Sequence, residues 1–174
     1  VRKESLDKKT INELEEHFTE EVNNKLKHWS DDLYVHFIFQ GVRITKPQGV
    51  VTYITNDSFI GLVSKRRVRR LLLQYDLIKL IRCPRETFEA MIYTAVFLLR
   101  KSGSKNKEYE SGHFSYPAFQ YNALGSVPHK VVSALPDERL IFASPILVIY
   151  EKLLDLCKLK DYLNVLDTGI LSGN

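Results

Sequence analysis

The sequence DDLYVHFI, from Asp31 to Ile38, opens the stretch that decides the fold, which runs on to Lys101. A turn sequence, KPQG, separates this opening from the next apolar run, and two further apolar runs follow. These segments lie at residues 46–49, 50–59, 77–81 and 92–99. Their periodicity predicts helix, strand, helix, strand, loop and strand. Such alternation is typical of an α/β sheet with helices on its faces.

The apolar runs predict three strands. Val50–Ile54 is almost continuous in apolar and β-favouring residues, as expected of a parallel strand that is covered on both faces. Leu77–Ile81 predicts a second buried strand, which Pro84 ends. Ile92–Leu99 predicts a third strand, and the link before it is too short for a crossover helix. We therefore expect this third strand to run antiparallel to a neighbour.

Three helices are predicted around these strands, and a fourth is predicted near the end of the chain. Val1–Lys9 reads as a loop, and Thr10 with Glu13 fits a capping box that opens a helix from Ile11 to Lys27. The next helix has Ser30 as its cap and presents an apolar stripe. The residues of that stripe are Leu33, Phe37, Ile38, Val42 and Ile44. A basic helix follows at Ser64–Tyr75.

The last part of the chain gives weaker signals. Lys101–Gly112 reads as an exposed loop, and His113–Leu140 as an irregular segment with weak strand signals. Ser144-Pro145 then predicts the start of a helix, with Ser as cap and Pro at its first position. Its apolar face would comprise Ile146, Ile149, Leu153 and Leu156. We therefore divide the chain into residues 1–101, 102–144 and 145–174.

Composition places the chain among globular proteins. Of its 174 residues, 44% are hydrophobic and 26% charged, and the net charge is only +4. Cys83 and Cys157 have no paired spacing, and the five His residues have no ligand spacing, so we expect reduced thiols and no metal site. No apolar run approaches the length of a membrane span. We expect a cytoplasmic protein, and the initial Val1 suggests a piece of a longer one.

A self-contained active site is missing from the sequence. We find no Gly-rich phosphate loop, nucleophile elbow or metal cluster. The adjacent carboxylates Asp31 and Asp32 would point apart on a helix, so we interpret them as capping and dipole partners.

Two features could carry a function, and each has a structural alternative. The basic run holds five cations, which could bind DNA phosphates or could form a solvated helix surface. These cations are Lys65, Arg66, Arg67, Arg69 and Arg70. Phe88 follows the second strand, and it could belong to the core or could stack on a planar base.

The order and spacing of these stretches resemble a known family. The resemblance rests on residues 32–38, 46–59, 68–72, Phe88 and 93–99. Together they look like the second half of the catalytic domain of gamma-class adenine DNA methyltransferases, which include the fused, type IIG restriction–modification polypeptides of bacteria. Val1–Ser5 is similar to the segment that follows that family's Asn-Pro-Pro-Tyr motif, and Gly169–Asn174 to the start of its target-recognition region.

The resemblance implies a partial Rossmann-like sheet and a methyl transfer from S-adenosylmethionine to the exocyclic amine of a flipped adenine in DNA. It assigns Phe88 to stacking on the flipped base, and a second set of residues to the walls of the cofactor and base pocket. This set comprises Asp32, Leu33, Tyr34, Asn56, Ser58 and Phe59, with Asp57 in the same segment. The basic helix would face DNA or cover the sheet. Gln48 stands where the family usually has Gly.

The family's catalytic loop and cofactor motif are absent from the sequence. We therefore expect the chain alone to be inactive and its partners to be DNA and the missing N-terminal half of the same polypeptide. The truncated sheet could also associate with itself through an open edge. The alternatives are a non-catalytic DNA-binding or assembly module that uses the basic helix at residues 64–75, and a degenerate scaffold that binds neither DNA nor cofactor.

Overall fold

The computed structural model of the protein describes residues 7–10, 12 and 32–154. The chain forms two compact units, Val1–Ser144 and Pro145–Asn174. From residue 32 onward, the first unit contains a five-stranded sheet and four α-helices, and the described part of the second unit contains a single helix.

The sheet of the first unit has the strand order β1-β3-β2-β4-β5. β3 runs antiparallel to both β1 and β2, β4 runs parallel to β2, and β5 runs antiparallel to β4. The strands are β1 (Val50–Asn56), β2 (Asp76–Cys83), β3 (Thr94–Arg100), β4 (Glu108–Ser115) and β5 (Gln120–Pro128).

The helices of the first unit precede, link and follow these strands. They are α1 (Leu33–Ile44), α2 (Ser58–Gly61), α3 (Arg66–Gln74) and α4 (His129–Ala134). Short 3₁₀ turns occupy Val63–Lys65, Arg85–Thr87 and Pro136–Glu138. The chain from α1 to β3 therefore reads helix, strand, helix, strand, strand, and the predicted α/β fold is confirmed.

The core lies on one face of the sheet. Tyr53 of β1 and Phe97 of β3 are opposite each other in the register, so they point to the same face. α1 packs against this face at Gly41. The Tyr53 side chain comes so close to Gly41 that a Cβ added there would lie 2.6 Å from the Tyr53 hydroxyl. α2 packs there through Phe59, whose ring meets the Phe97 ring edge-on at 5.9 Å. On the opposite face of β1, Val50 and Ile54 are about half exposed.

β1 differs from its prediction. Val50–Ile54 was expected in a parallel strand covered on both faces, but β1 is antiparallel to β3 and lies at the edge of the sheet. β3 runs back between β1 and β2. These two strands, which α2 and α3 connect along the chain, are therefore not neighbours in the sheet. The predicted antiparallel course of β3 is confirmed, and so is the end of β2 just before Pro84.

The segment from 102 to 144 differs most from its prediction. It was expected to be an exposed loop and an irregular stretch, yet it forms β4, β5 and α4. Tyr109 and Ser111 of β4 are buried. The Tyr109 hydroxyl donates to the Ile141 carbonyl at 2.7 Å and accepts from the Ile141 N–H at 3.1 Å. The strand was missed because its polar and Gly residues hide the alternation.

The prediction of the apolar stripe of α1 is partly wrong. Phe37 and Ile44 are 60% and 72% exposed, while His36 and Phe39 are buried instead. Asp32 occupies the cap position, but its side chain makes no capping hydrogen bond. The predicted cap Ser30, and Asp31 with it, lie outside the described residues.

A helical turn begins the described part of the chain. Residues 8–10 are helical, and Thr10 donates its N–H and hydroxyl to the Asp7 carboxylate at 2.9 and 2.7 Å. Asp7, and not Thr10, therefore caps this turn, and the predicted loop through Lys9 is wrong there. In the predicted helix from Ile11 to Lys27, Asn12 is helical, and the other residues lie outside the described ones.

The turn at Lys46–Gly49 contains a residue in the left-handed conformation. Gln48 adopts φ 64°, a conformation that favours Gly, the residue usual in the family at this position.

The second unit contains α5 (Ile146–Leu154), which begins directly after Pro145 as predicted. Ile146, Ile149 and Leu153 are more than half exposed, whereas Leu147 is buried, so the apolar face was assigned wrongly. Leu156 lies outside the described residues. Within the described ranges, no helix is long and apolar enough to cross a membrane, and no group of side chains is arranged to hold a metal ion.

Candidate functional site

The candidate site lies where β1, β2 and β4 end. β1 and β2 share a direction because both oppose β3, and β4 runs parallel to β2. The carboxyl ends of these three strands therefore meet at one edge of the sheet, which we call the carboxyl edge. Ligands of open α/β sheets bind outside the carboxyl ends of the strands. The residues predicted from the resemblance can be placed relative to this edge.

A hydrogen-bonded cluster follows the end of β1. The Asn56 side-chain oxygen accepts the Ser58 N–H at 2.9 Å, which holds the first turn of α2. The Ser58 hydroxyl lies 2.8 Å from the Tyr34 hydroxyl of α1. The cluster thus joins the start of α1, the end of β1 and the start of α2, and it brings together three predicted pocket residues.

Tyr34 is a neutral phenol over the physiological pH range. Burial raises its pKa to about 12, against the opposing effect of the Ser58 hydrogen bond. A neutral phenol can both donate and accept a hydrogen bond, so Tyr34 can hold the Ser58 hydroxyl in place without adding a charge to the carboxyl edge.

Lys65 belongs to the same cluster. Its ammonium lies 2.5 Å from the Asp32 carboxylate and 5.5 Å from the centre of the Tyr34 ring. Lys65 is only 4% exposed, so the predicted DNA contact of this residue would need it to leave its partners. Among the other predicted residues, Phe59 is fully buried in the core and Leu33 is partly buried.

Phe88 lies on the loop between β2 and β3. It is 41% exposed, which excludes a place in the core. Its carbonyl accepts the Met91 N–H at 2.9 Å, so the loop folds back on itself. The Tyr93 carbonyl accepts the Asp57 N–H at 3.2 Å and ties the loop to the end of β1. The structure therefore brings the Phe88 loop and the Tyr34 cluster to the same edge.

The basic helix differs from its prediction, because one of its cations is fully buried. The Arg69 guanidinium donates to three backbone carbonyls, those of Phe59, Leu62 and Asp137, at 2.7–3.0 Å. Burial lowers its pKa, but an Arg side chain stays protonated in proteins. Asp137 and Glu138 have φ 57° and 53°, and the bonds to Arg69 hold this left-handed turn in place.

Two further cations of α3 bind the same turn. Arg70 donates to the Glu138 carboxylate at 2.9 Å, and Arg66 approaches it at 3.4 Å. The Arg70 hydrogen bond holds the Glu138 pKa below its usual range, despite the partial burial of that carboxyl. Arg67 is half-buried, and its pKa is lowered by burial and by Arg70. Contact of the basic helix with DNA stays a prediction.

Sequence reasoning missed the partners of these cations. Asp137 and Glu138 lie 68 residues after the arginines that they bind, within the segment interpreted as irregular. The one available signal was the Pro136-Asp137-Glu138 sequence itself, which is typical of a turn.

The first half of the chain is similar to a known protein family. The family model of the Eco57I restriction-modification methylase matches residues 1–89, half of the chain. This range contains α1, β1, α2, α3, β2 and Phe88. No curated protein matches the sequence.

Three solved structures are similar to the chain. The type IIG restriction endonuclease BpuSI is 17% identical, with a TM-score of 0.53 over 64% of this chain and 14% of its own. A protein described as a class I S-adenosylmethionine-dependent methyltransferase from Listeria monocytogenes is 20% identical, with a TM-score of 0.46 over 53% and 31%. A type I restriction–modification system is 19% identical, with a TM-score of 0.47 over 53% and 20%.

The chain spans less than a third of the length of each of these structures. The likeness to BpuSI shows a shared fold, and the family match covers two of the three strands that end at the carboxyl edge, β1 and β2, together with Phe88. On the family match, the chain belongs to the Eco57I restriction-modification methylase family.

Proposed function

We propose that this chain is the latter half of the catalytic domain of a gamma-class, type IIG-like DNA methyltransferase. The complete enzyme transfers a methyl group from S-adenosylmethionine to the exocyclic amine of a flipped adenine. Family membership and the arrangement of the carboxyl edge support this proposal. The amine is buried in the DNA stack, so the base must leave the duplex before it can react.

The single observation that carries the proposal is the exposed Phe88 ring beside the end of β1. Phe88 is 41% exposed, so its ring is accessible to a planar ligand. The hydrogen bond from the Asp57 N–H to the Tyr93 carbonyl anchors its loop to the end of β1, so the loop holds the ring near that end. A flipped adenine would stack on this ring and lose its exposure to water.

The cluster around Tyr34 supports the floor of the base pocket. The hydroxyls of Tyr34 and Ser58 bind each other, and Lys65 neutralises Asp32. These polar groups are engaged within the protein, so they do not by themselves form a site for S-adenosylmethionine. The cofactor site therefore belongs mainly to the N-terminal half of the polypeptide, and this chain alone is inactive.

β1 is where that other half would join. Among the described strands, β1 pairs only with β3, so its second edge is open to a further strand. A strand of the N-terminal half would pair there, close to the Tyr34 cluster. Without it, two copies of this chain could pair edge to edge. A monomeric chain at high concentration in light scattering would contradict this self-association.

The test is a methyl-transfer assay with labelled S-adenosylmethionine and mixed-sequence DNA. The longer gene product and this chain are compared side by side. We expect transfer by the longer form only, and a loss of at least tenfold when Phe88→Ala removes the stacking surface. Met91→Ala is the matched control, because Met91 is 45% exposed on the same loop.

Two results would contradict the proposal. The first is a folded longer form that transfers no methyl group to any DNA. The second is an equal effect of Phe88→Ala and Met91→Ala. The competing function, a DNA-binding module that uses residues 64–75, is less well supported because Lys65, Arg66, Arg69 and Arg70 are engaged within the protein.

A further inference from the structure

A cavity of about 220 Å³ lies at the carboxyl edge, one strand beyond the Phe88 loop. It is half open to solvent and is lined by the ends of β2 and β4, by β5 and by the segment after Leu140. Arg82 and His113 are opposite each other in the β2–β4 register, and Phe114 and Leu124 continue the wall. The cavity thus belongs to the 102–144 segment, for which the sequence suggested no role.

Arg82 gives the cavity its charge. Its guanidinium lies over the Phe142 ring at 4.4 Å from the ring centre. Within the described part of the chain, Arg82 forms no ion pair, unlike Arg66 and Arg70 of α3. A stacked guanidinium keeps its hydrogen-bond donors available at the rim, so it can still bind an anion.

The remaining walls are mostly apolar. Phe114, Phe142 and Leu124 line the cavity with rings and aliphatic carbon, and Leu124 is 45% exposed at its mouth. Sites for drug-sized ligands occupy roughly 300–1,000 Å³. A smaller cavity with aromatic walls and one planar cation suits a single nucleobase whose phosphate lies outside, next to Arg82.

The surface around the cavity has the same chemistry. β4 continues past the end of β2, so the turn of the β4–β5 hairpin extends from the carboxyl edge. Tyr116 and Phe119 of this turn are exposed, and their rings meet edge-on at 5.9 Å. On the Phe88 loop, Arg85 lies over the Tyr93 ring at 5.8 Å. Arginines and aromatic rings interleaved along one surface are typical of proteins that bind single strands.

We propose that this cavity binds one unstacked nucleotide of a DNA strand, with the base against Phe142 and Leu124 and the phosphate at Arg82. The proposal rests on the proposed function, because base flipping takes the target base out of the stack and unpairs it from its partner. Phe88 would hold the target base, and the cavity would hold a second nucleotide farther along the same edge. The DNA would then be fixed at the reacting base and at one further nucleotide.

The test measures binding of a fluorescently labelled oligothymidylate to the whole chain over a series of salt concentrations. Arg82→Gln should weaken binding about tenfold and reduce the slope of log K against log salt by about 0.7, the value for one phosphate on a single strand. Phe142→Leu should weaken binding about tenfold at every salt concentration without changing the slope.

Leu124 is the site of a second substitution, which tests the cavity without changing a core residue. Because Leu124 is 45% exposed, Leu124→Glu should leave folding intact while it places a negative charge at the mouth of the cavity. We expect at least tenfold weaker binding for Leu124→Glu and a smaller loss for Leu124→Gln. Lys107→Gln is the control, since Lys107 is exposed just before the start of β4, at the opposite edge of the same sheet. It should change affinity less than twofold.

The inference is wrong if the wild-type chain does not bind the oligothymidylate. It is also wrong if Arg82→Gln and Leu124→Glu bind as tightly as Lys107→Gln. Neither result would affect the proposed function, which is decided by methyl transfer of the longer gene product. Absence of that transfer, with intact oligothymidylate binding, would instead leave a DNA-binding protein without the proposed reaction.

Discussion

The arginines of α3 and those of the carboxyl edge differ in what they bind. Arg69 binds the carbonyls of Phe59, Leu62 and Asp137, and Arg66 and Arg70 bind the Glu138 carboxylate. Arg82 lies over the Phe142 ring, and Arg85 lies over the Tyr93 ring and donates to the Met91 carbonyl at 2.8 Å. None of these contacts of Arg82 and Arg85 involves a carboxylate, so they leave the two positive charges uncompensated. The denser group of cations therefore stabilises the fold, and the sparser group is available to a ligand.

This difference shows why the density of charge along a sequence is a poor guide to DNA contact. A cation that is neutralised within the protein releases few counterions when DNA binds, so it adds little to the affinity. The partner of each cation decides its role. Three substitutions, followed by urea or acid unfolding, measure how far bonds within the protein account for the role of these cations.

Arg69→Met should cause the largest loss of stability. The substitution leaves the carbonyls of Phe59, Leu62 and Asp137 without their donor, and a buried group that loses its partner costs roughly 1–3 kcal/mol. We expect the free energy of unfolding to fall by about 3 kcal/mol. Arg85→Gln at the carboxyl edge is the control, and it should change stability by less than about 0.5 kcal/mol. Equal losses for the two variants would remove the distinction between the groups.

Lys65→Met should have an intermediate effect. It leaves Asp32 without the ammonium at 2.5 Å, but the Asp32 side chain is 38% exposed and can be hydrated. We therefore expect a loss of about 2 kcal/mol, below that of a fully buried pair. Lys79→Met is the matched control, because Lys79 binds Glu110 at 3.0 Å with both side chains about one-third exposed. A loss of under about 1 kcal/mol is expected there.

The smallest effect concerns Glu138 and pH. Arg70, and then Arg66, lower the Glu138 pKa below 4.5, so the folded protein favours the ionised carboxylate. Its stabilising contribution is complete above pH 4.5 and is lost as the pH falls through the lower, folded value. Because these side chains are partly exposed, we expect this contribution to be below about 1 kcal/mol. Glu138→Gln should flatten this part of the acid unfolding curve, and an unchanged curve would contradict the assignment.

The sequence predicted the elements that local patterns determine. β2 and β3 were found because Leu77–Ile81 and Ile92–Leu99 are apolar runs with a clear stop at Pro84. β4 was missed because residues 108–115 carry two glutamates, two serines and a glycine. The edge position of β1 was missed because a strand order depends on distant pairing, which periodicity does not report.

The candidate site was predictable in part. The resemblance identified Tyr34, Asn56 and Ser58, which the structure places in one hydrogen-bonded cluster. It could not reveal that Phe59 lies in the core or that Arg69 is buried, since both depend on packing between distant segments. The cavity at Arg82 was not predictable, because Phe142 reaches it from 60 residues farther along the chain.

The bond between Arg69 and Asp137 also bears on the order of events during synthesis. The carbonyls of Phe59 and Leu62 are made before Arg69, but that of Asp137 follows 68 residues later. A nascent chain can form α3 early, yet its guanidinium stays incompletely bound until the turn at 136–138 has left the ribosome. Domains generally fold as units during synthesis. The last turn before Ser144 thus acts as the closing step for the first unit, and until it forms, α3 is exposed to chaperones and proteases.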